Sequence, residues 1–493
     1  MRRKLCCVTV LVLGLSASGA LAASGDSKDA PHESTSFAVA IMDLVLQKHI
    51  DPPTRQAMVL AGTKALYRAD DRIAPKGLSS RVSELAKPDQ IAEYLDTVFA
   101  EFEKLPDPQG IWIRGAVQGV PGGVFLIDAQ SSKVRQQLAA NRYVGTGIGL
   151  TMDKKQKRPA ISKVFLNGPA WRAGIKVKDV ILEIDGKPTV SRGMNQVVEQ
   201  LRGEAGSDVT VVVRQPDAEE SRTLSVTRGR VFIPTVLGHR EISEGKWQYT
   251  IDSAPEIAVV RINSIGPSTL HELRQVEATL RQKDVRGIVL DLRSGGGILH
   301  DVVMVADGLL DGGMIGHVRS LDSVKTYEAS PGALFQDLAM VVLVKKFTNA
   351  DRVFLTAALQ DQGRAIVVGE PTSGQTYVNS IVPVPGRDEL VRMAVAVMQR
   401  GDGTTLLVPR SGSSPSQLLE VAADERRNLE EVKARKRPGF IMPDHVVVAA
   451  GSEQTVVAGS EQAGATMLNK AIEVLRAETE GQDAPKKEVV SGS

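Results

Sequence analysis

Three places in this chain bring together residues that could do chemistry. The first is Gly147-Ile148-Gly149. A glycine turn of this kind leaves backbone N–H groups in a concave nest, where a chain-terminal carboxylate can sit. Taken alone, the same glycines could simply shape a tight turn with Ile148 in a core. The second is Gly295-Gly296-Gly297, which follows an apolar run. Gly296 and Gly297 could supply N–H donors to a developing oxyanion, and the three glycines read equally well as a tight strand-to-helix turn. No Lys-Ser or Lys-Thr follows them and no GxGxxG is present, so they are not a phosphate loop. The third is Lys345-Lys346-Phe347-Thr348-Asn349, with Ser373 further on. A nucleophile and base drawn from Thr348, Ser373 and the lysines would need hydrogen-bond reach between them. The simpler reading has Thr348 ending a strand and both lysines exposed. Asn349 and Asp351 suit the N-cap and first turn of a helix over 350–361. The seven histidines are scattered, without HExxH or paired ligand spacing. No metal and no cofactor are expected.

Positioning these groups requires several structural units. A chain of 493 residues is long enough for roughly three domains of ordinary size. Hydrophobic residues make up 42% and charged residues 24%. Both shares are ordinary for a soluble globular protein. Lys and Arg number 60 against 58 Asp and Glu, which gives no electrostatic reason to expect nucleic acid or an anionic membrane as partner. Arg2, Arg3 and Lys4, an apolar stretch from Leu5 to Leu15, and Ala20-Leu21-Ala22 read as a signal peptide over 1–22, so the protein is expected to be exported, to a periplasm or outside the cell. Cys6 and Cys7, the only cysteines, lie inside it, leaving the mature chain without a thiol or disulfide. No later segment is apolar over ~20 residues, and no membrane span is expected in the mature chain.

Residues 23–35 read as a polar linker and 37–105 as helices. Residues 106–140 read as a connector around Pro121-Gly122-Gly123. Residues 141–230 hold short strands at 145–150, 160–165, 179–186, 208–214 and 222–228. They also hold a helix with Met194, Val197, Val198 and Leu201 on one face. From 245 to 410, apolar runs such as GIVLDL and MVVLVK alternate with helical patterns at 268–282, 299–311 and 350–361. This predicts an α/β domain with a substantially parallel sheet. Residues 411–437 are a polar insertion, Met467–Leu475 a last helix, and 476–493 an expected disordered tail.

GTGIGL, NGPAWRAG, VKDVILEIDGKPT and LRGEAGSDVTVVV, in this order over residues 141–230, resemble a PDZ domain of the bacterial protease type. The resemblance implies that Gly147, Ile148, Gly149 and Leu150 receive the C-terminus of a peptide, with Val197 and Val198 on the facing helix. GIVLDLRSGGG, VADGLL, the segment 340–379 and GFIMPDH resemble the catalytic domain of the C-terminal processing, or tail-specific, peptidases. That family uses a serine at a helix N-terminus, a neutral lysine that activates it, and a glutamine that orients the lysine. Laid on this sequence without gaps, the three positions are Ala350, Gln375 and Asn379. Alanine has no nucleophilic atom and a glutamine amide no useful basicity. The glycine loop is one residue shorter than the usual family form, and Asp361 matches an acidic family position.

The expected fold is therefore an α/β multidomain chain. It has an amino-terminal helical region (23–140), a PDZ domain (141–230) and an α/β peptidase-like core (231–475), crotonase-like and of ββα type by resemblance. The expected function is a proteolytically inactive member of this serine-type peptidase family that binds unstructured protein C-termini or peptides. The alternatives are an active serine-type endopeptidase with a relocated nucleophile, or a small-ligand binder on the same fold. The oligomeric state is left open.

Overall fold

The computed structural model describes residues 33–127, 143–153, 157–190, 192–243, 245–374, 376–406, 441, 443–447 and 461–483. The expected signal peptide, most of the linker, Gln375 and the insertion at 411–437 lie outside the described residues.

Five helices open the chain: α1 (Glu33–Lys48), α2 (Arg55–Ala69), α3 (Leu78–Ser83), α4 (Pro88–Glu101) and α5 (Pro108–Val117). The last corrects the expected connector at 106–140. Asp107 accepts the Gly110 N–H at 2.9 Å and Pro108 fills the first turn. That combination starts a helix. Trp112, Ile113 and Ala116 are buried from α5. Helix α2 crosses α5 closely at two glycines. A β-carbon on Gly62 would run into the Trp112 ring, and one on Gly115 into the Ala65 side chain. Beyond α5, β1 (Val124–Ile127) leaves the helices for a sheet of the core, and Val124 is buried with them.

The next unit holds β2 (Ile148–Asp153), β3 (Arg158–Val164), α6 (Pro169–Arg172), β4 (Val180–Ile184), α7 (Met194–Leu201), β5 (Asp208–Arg214) and β6 (Arg222–Thr227). The strands pair in the order β2-β3-β4-β5-β6, so β2 is an edge. The single strand expected over 145–150 is broken. Tyr143–Gly145 pairs instead with Gly229–Val231, and the chain turns at Gly147, whose φ is +75°.

The core alternates β7 (Ala254–Ile262), α8 (Thr269–Leu280), β8 (Gly287–Asp291), α9 (Leu299–Leu309), β9 (Gly313–Ser320), β10 (Val324–Ala329), β11 (Ala339–Val344), α10 (Ala350–Asp361), β12 (Ile366–Gly369), β13 (Tyr377–Pro383), β14 (Leu390–Gln399), β15 (His445–Val446) and α11 (Glu461–Asp483). Strands β7, β8, β11, β12 and β15 run parallel in that order. Alternate residues along them enter two cores, as strands covered on both faces require. Val260, Leu290, Val342 and Val367 meet α8, α9 and α10, while Val259, Val289, Val341 and Val368 meet Met467, Ala471, Val474 and Leu475 of α11. Helix α11 continues to Asp483, into the tail expected to be disordered. A second, antiparallel sheet pairs β1, β14, β9 and β10 in that order, with β13 on β14, and the amino-terminal helices pack on Val391 and Met393 of β14. Among the described residues, no helix is long and apolar enough to cross a membrane.

His49, fully buried, ties the end of α1 to the turn between α5 and β1. Its Nε2 donates to Pro121 O at 2.8 Å and its Nδ1 accepts the Asp51 N–H at 3.0 Å. Both bonds fit the neutral ring. Burial pushes its pKa below the ordinary value despite the neighbouring carbonyl and Asp51. The folded state therefore resists protonation more than the unfolded chain does. The stability this confers is present above the unfolded pKa of about 6.5 and is lost as pH falls through the lower folded value. Denaturant unfolding from pH 7.5 to 5 should show the parent losing stability more steeply than His49→Gln, by up to about one proton taken up per molecule. Parallel pH profiles would contradict this role for His49.

Candidate functional site

The first site lies between β2 and α7. The carbonyl of Thr146 accepts the Ala170 N–H at 2.7 Å, and that of Gly147 accepts the Phe165 N–H at 3.0 Å. In a trans peptide the C=O and the following N–H point in opposite directions. The N–H groups of Gly147 and Ile148 are therefore turned away from α6 and β3, towards the free edge of β2. Ile148 and Leu150 are half-buried against the cluster that contains Val197 and Leu201. Val197 is fully buried as part of the domain core. Val198, expected on the same face, is half-buried and outside that cluster. The apolar surface an added strand would meet is thus the half-buried face of Ile148 and Leu150, with Val197 supporting it from beneath.

The second site lies at the carboxyl ends of β8 and β11. Their parallel register, from Gly287 beside Ala339 to Asp291 beside Leu343, brings the loop 293–297 next to the turn 345–349 and the start of α10. Arg293 closes a bidentate pair on Asp291, Nε to Oδ1 at 2.9 Å and Nη2 to Oδ2 at 2.8 Å. Such a fork fixes the geometry of both partners. Gly295 has φ +101°, and a β-carbon there would collide with Asn263 O. The position therefore requires glycine. The Gly296 carbonyl accepts the Ile265 N–H at 2.8 Å, and the Gly295 carbonyl accepts from Asn349 Nδ2. With both carbonyls held, the Gly296 N–H points away from the Asn349 side chain and the Gly297 N–H away from Ile265. The Asn349 side chain was expected to cap α10, but it makes no cap bond. Only its carbonyl serves the helix, accepting from Arg352 and Val353 at 3.0 Å each.

Thr348 is 5% exposed, and its hydroxyl accepts the Lys345 N–H at 2.9 Å. It closes the strand-to-helix turn, as the simpler reading of the sequence has it. The Lys346 carbonyl accepts the Ser373 N–H at 2.8 Å, a backbone contact that brings no hydroxyl to a lysine amine. Lys345 Nζ instead lies 3.3 Å from Ser294 Oγ. Two buried groups stand beside the loop: Arg352, which sequence reasoning passed over, and Asp351, which it placed only as a first-turn residue of the helix. Arg352 is 0% exposed and donates through Nη1 to Ile262 O at 2.7 Å. Burial pushes its pKa down, against Asp351 and Asp291, and burial pushes the Asp351 carboxyl up, against Arg352. Neither residue belongs to a recognisable motif, and only the folded chain reveals their burial.

The peptidase family S41 profile matches residues 256–410, and that of the PDZ domain matches residues 161–215. The carboxy-terminal-processing protease of Bartonella bacilliformis is 24% identical over 349 residues, which is 68% of this chain and 76% of that protein. The carboxyl-terminal-processing protease of Picosynechococcus sp. is 29% identical over 243 residues, covering 49% of this chain and 56% of that protein. Residues 256–410 thus match peptidase family S41 and residues 161–215 a PDZ domain, and these relatives are named C-terminal processing proteases. Among solved structures, the photosystem II D1 C-terminal processing protease aligns over 78% of this chain and 94% of its own, at 21% identity and a TM-score of 0.39. The PDZ match begins after the Gly147–Gly149 loop, so that loop rests on its own geometry.

In this chain, the three positions carried over by resemblance are distributed as follows. Ala350 is the first residue of α10, half-buried beside the glycine loop. Asn379 is exposed on β13, paired with Ala394 at a bulge. Gln375 lies outside the described residues. The structure thus gathers Ala350, Gly296 and Gly297 with Ser294, Lys345 and Asn349, on elements held by buried strands. A serine at 350 would still need a base to take its proton. Ala350→Ser alone should therefore leave hydrolysis of an unfolded protein at the parent level. Ala350→Ser with Gln375→Lys should give slow hydrolysis, raised further by Asn379→Gln. A single Ala350→Ser variant well above the parent would mean that another residue already acts as base.

Proposed function

We propose that this protein is an exported, proteolytically silent member of its family that captures unstructured protein C-termini or peptides through its PDZ domain. The observation that carries the proposal is Ala350, a methyl group at the head of α10 where the resemblance calls for a nucleophilic hydroxyl. The unpaired edge of β2 beside the Gly147 turn supports peptide capture. A peptide added there extends the sheet with main-chain hydrogen bonds, and its terminal carboxylate meets the N–H groups of Gly147 and Ile148. The amino-terminal basic and apolar pattern over 1–22 supports export. A relocated nucleophile at Thr348 is the weaker reading, because that hydroxyl is buried and bonded to the Lys345 N–H.

A peptide with an apolar, free C-terminus should bind the mature protein with modest affinity, since ordering a flexible peptide offsets much of the contact energy. Amidating its terminus should weaken binding at least about tenfold, or ~1.4 kcal/mol. Titration calorimetry checks this, and equal affinity for the acid and the amide would remove carboxylate capture from the account.

A further inference from the structure

The outer face of the β2–β3 hairpin carries a charge that the domain itself does not use. Side chains alternate between the two faces of a strand. Ile148 and Leu150 turn to the cluster beneath α7, so Gly149 belongs to the opposite face. Its register partner on β3 is Lys163. A β-carbon on Gly149 would stand 3.1 Å from the β-carbon of Lys163, so the lysine stem lies beside a position that has no side chain. Phe165 flanks it. Its N–H bonds the Gly147 carbonyl at 3.0 Å, and Lys163 Nζ lies 5.3 Å from the centre of its ring. Lys163 is exposed and makes no ion pair with the described residues. No side chain of β2 stands between it and the free edge of that strand at Gly149. Charge over the whole unit has the same sign. Residues 141–230 hold 16 Lys and Arg against 10 Asp and Glu, a net +6 in a chain whose total is +2, so the rest is net −4. Several of these acids are engaged inside the domain. Asp179 pairs with Arg222 at 2.8 Å, Asp185 accepts the Thr210 N–H at 2.9 Å, and Asp208 accepts the Thr227 hydroxyl at 2.6 Å. Asp153, at the far end of β2, stands opposite Arg158 in the register. Glu199 belongs to α7, the other wall of the groove.

We infer that this groove selects acidic C-termini, with Lys163 reading a glutamate or aspartate at the penultimate position of the peptide or two residues before it. The inference rests on the reading of the groove as the site of peptide capture, and it names the class of peptide captured. A peptide whose carboxylate meets the N–H groups of Gly147 and Ile148 runs antiparallel to β2, towards Asp153 and the exposed Lys157 of the hairpin turn. Its last side chain points to Ile148 and Leu150. Alternation then turns the penultimate side chain, and the one two residues further in, to the face of Gly149. Two strand spacings put the peptide backbone about 10 Å from that of Lys163. Extended lysine and glutamate side chains span that distance together, across the bare surface of Gly149. An acidic side chain there meets an ammonium without a carboxylate partner, and a basic one meets the positive field of the domain. An ion pair open to solvent adds little to affinity. Lys163 therefore sets a preference among C-termini, while the main-chain contacts make the capture.

Fluorescence anisotropy with the mature protein at low salt tests this. The probes are dye-labelled Ala-Ser-Xaa-Ala-Xaa-Leu peptides with a free C-terminus, in which both Xaa are Glu, Gln or Lys. The Glu peptide should bind about threefold tighter than the Gln peptide, as a solvent-exposed pair allows, and the Lys peptide should bind more weakly than both. Raising the salt should shrink the gap between Glu and Gln. Lys163→Met should bring the Glu and Gln peptides to equal affinity, Lys163→Arg should keep the preference, and Lys163→Glu should favour the Lys peptide. Affinity for the Gln peptide should stay at the parent level in all three variants, because Lys163 is exposed. Equal binding of Glu and Gln peptides by the parent, with the free acid still preferred to the amide, would overturn acidic selection and leave carboxylate capture standing. No binding of any peptide would remove the capture reading and this one with it. A Glu preference undiminished in Lys163→Met would overturn the assignment to Lys163. A loss shared equally by all three peptides in that variant would make the residue structural and overturn its part in selection.

Discussion

The parallel pairing of β8 with β11 is the constraint on which both the fold and the cleft depend. Gly287 to Asp291 lies beside Ala339 to Leu343, and every residue of β8 is buried. The pairing leaves no freedom in where the two strands end, and both carboxyl ends open on the same side. The glycine loop leaves one strand and the turn into α10 leaves the other. In a parallel α/β sheet, the crevice outside the carboxyl ends is where ligands bind. The Asn349 side chain then ties the two exits together at Gly295 O, and Ile265 holds the next carbonyl. Loop N–H groups are thereby aimed by hydrogen bonds on the opposite side of each peptide plane, independently of the residue at position 350.

That independence means the loop keeps its shape without help from a reactive group at position 350. Core residues such as Leu290, Val342 and Phe354 support the loop and helix through packing. The Ala350 methyl packs, half-buried, at the edge of the same cluster and offers the loop no hydrogen bond. The charges behind the loop are a different matter. A buried guanidinium without a carboxylate partner costs on the order of several kcal/mol. The chain keeps one at Arg352. It bears on the cleft only through its field, because the loop stands between Arg352 and solvent.

Much of this architecture is legible in the sequence because the decisive signals are local. The α10 helix matches its expected span of 350–361, since Asn349 and Asp351 mark its start and apolar residues repeat along it. The parallel strands show as short, wholly apolar runs because both their faces are covered. Helix α5 carried a readable signal in Asp107-Pro108, masked by the Pro121-Gly122-Gly123 turn that made the whole segment look like a connector. Other features depend on tertiary contacts that no local pattern encodes. The Asn349 amide turns to a loop carbonyl 54 residues away in sequence. Val197 and Val198 are adjacent and chemically equal, yet only one enters the core, because helix rotation against β2 decides it. Arg352 reads as an ordinary exposed helix arginine until the strands β7 and β8 close over it.

The proposed proteolytic silence rests on alanine at position 350, at the head of α10. The most direct measurement incubates the purified mature protein with an unfolded substrate protein and, in parallel, with a fluorophosphonate probe for activated serines. The account predicts intact substrate and no labelled band. Cleavage that survives further purification and disappears in the Thr348→Ala variant would contradict it, and would place a working nucleophile in the turn before α10.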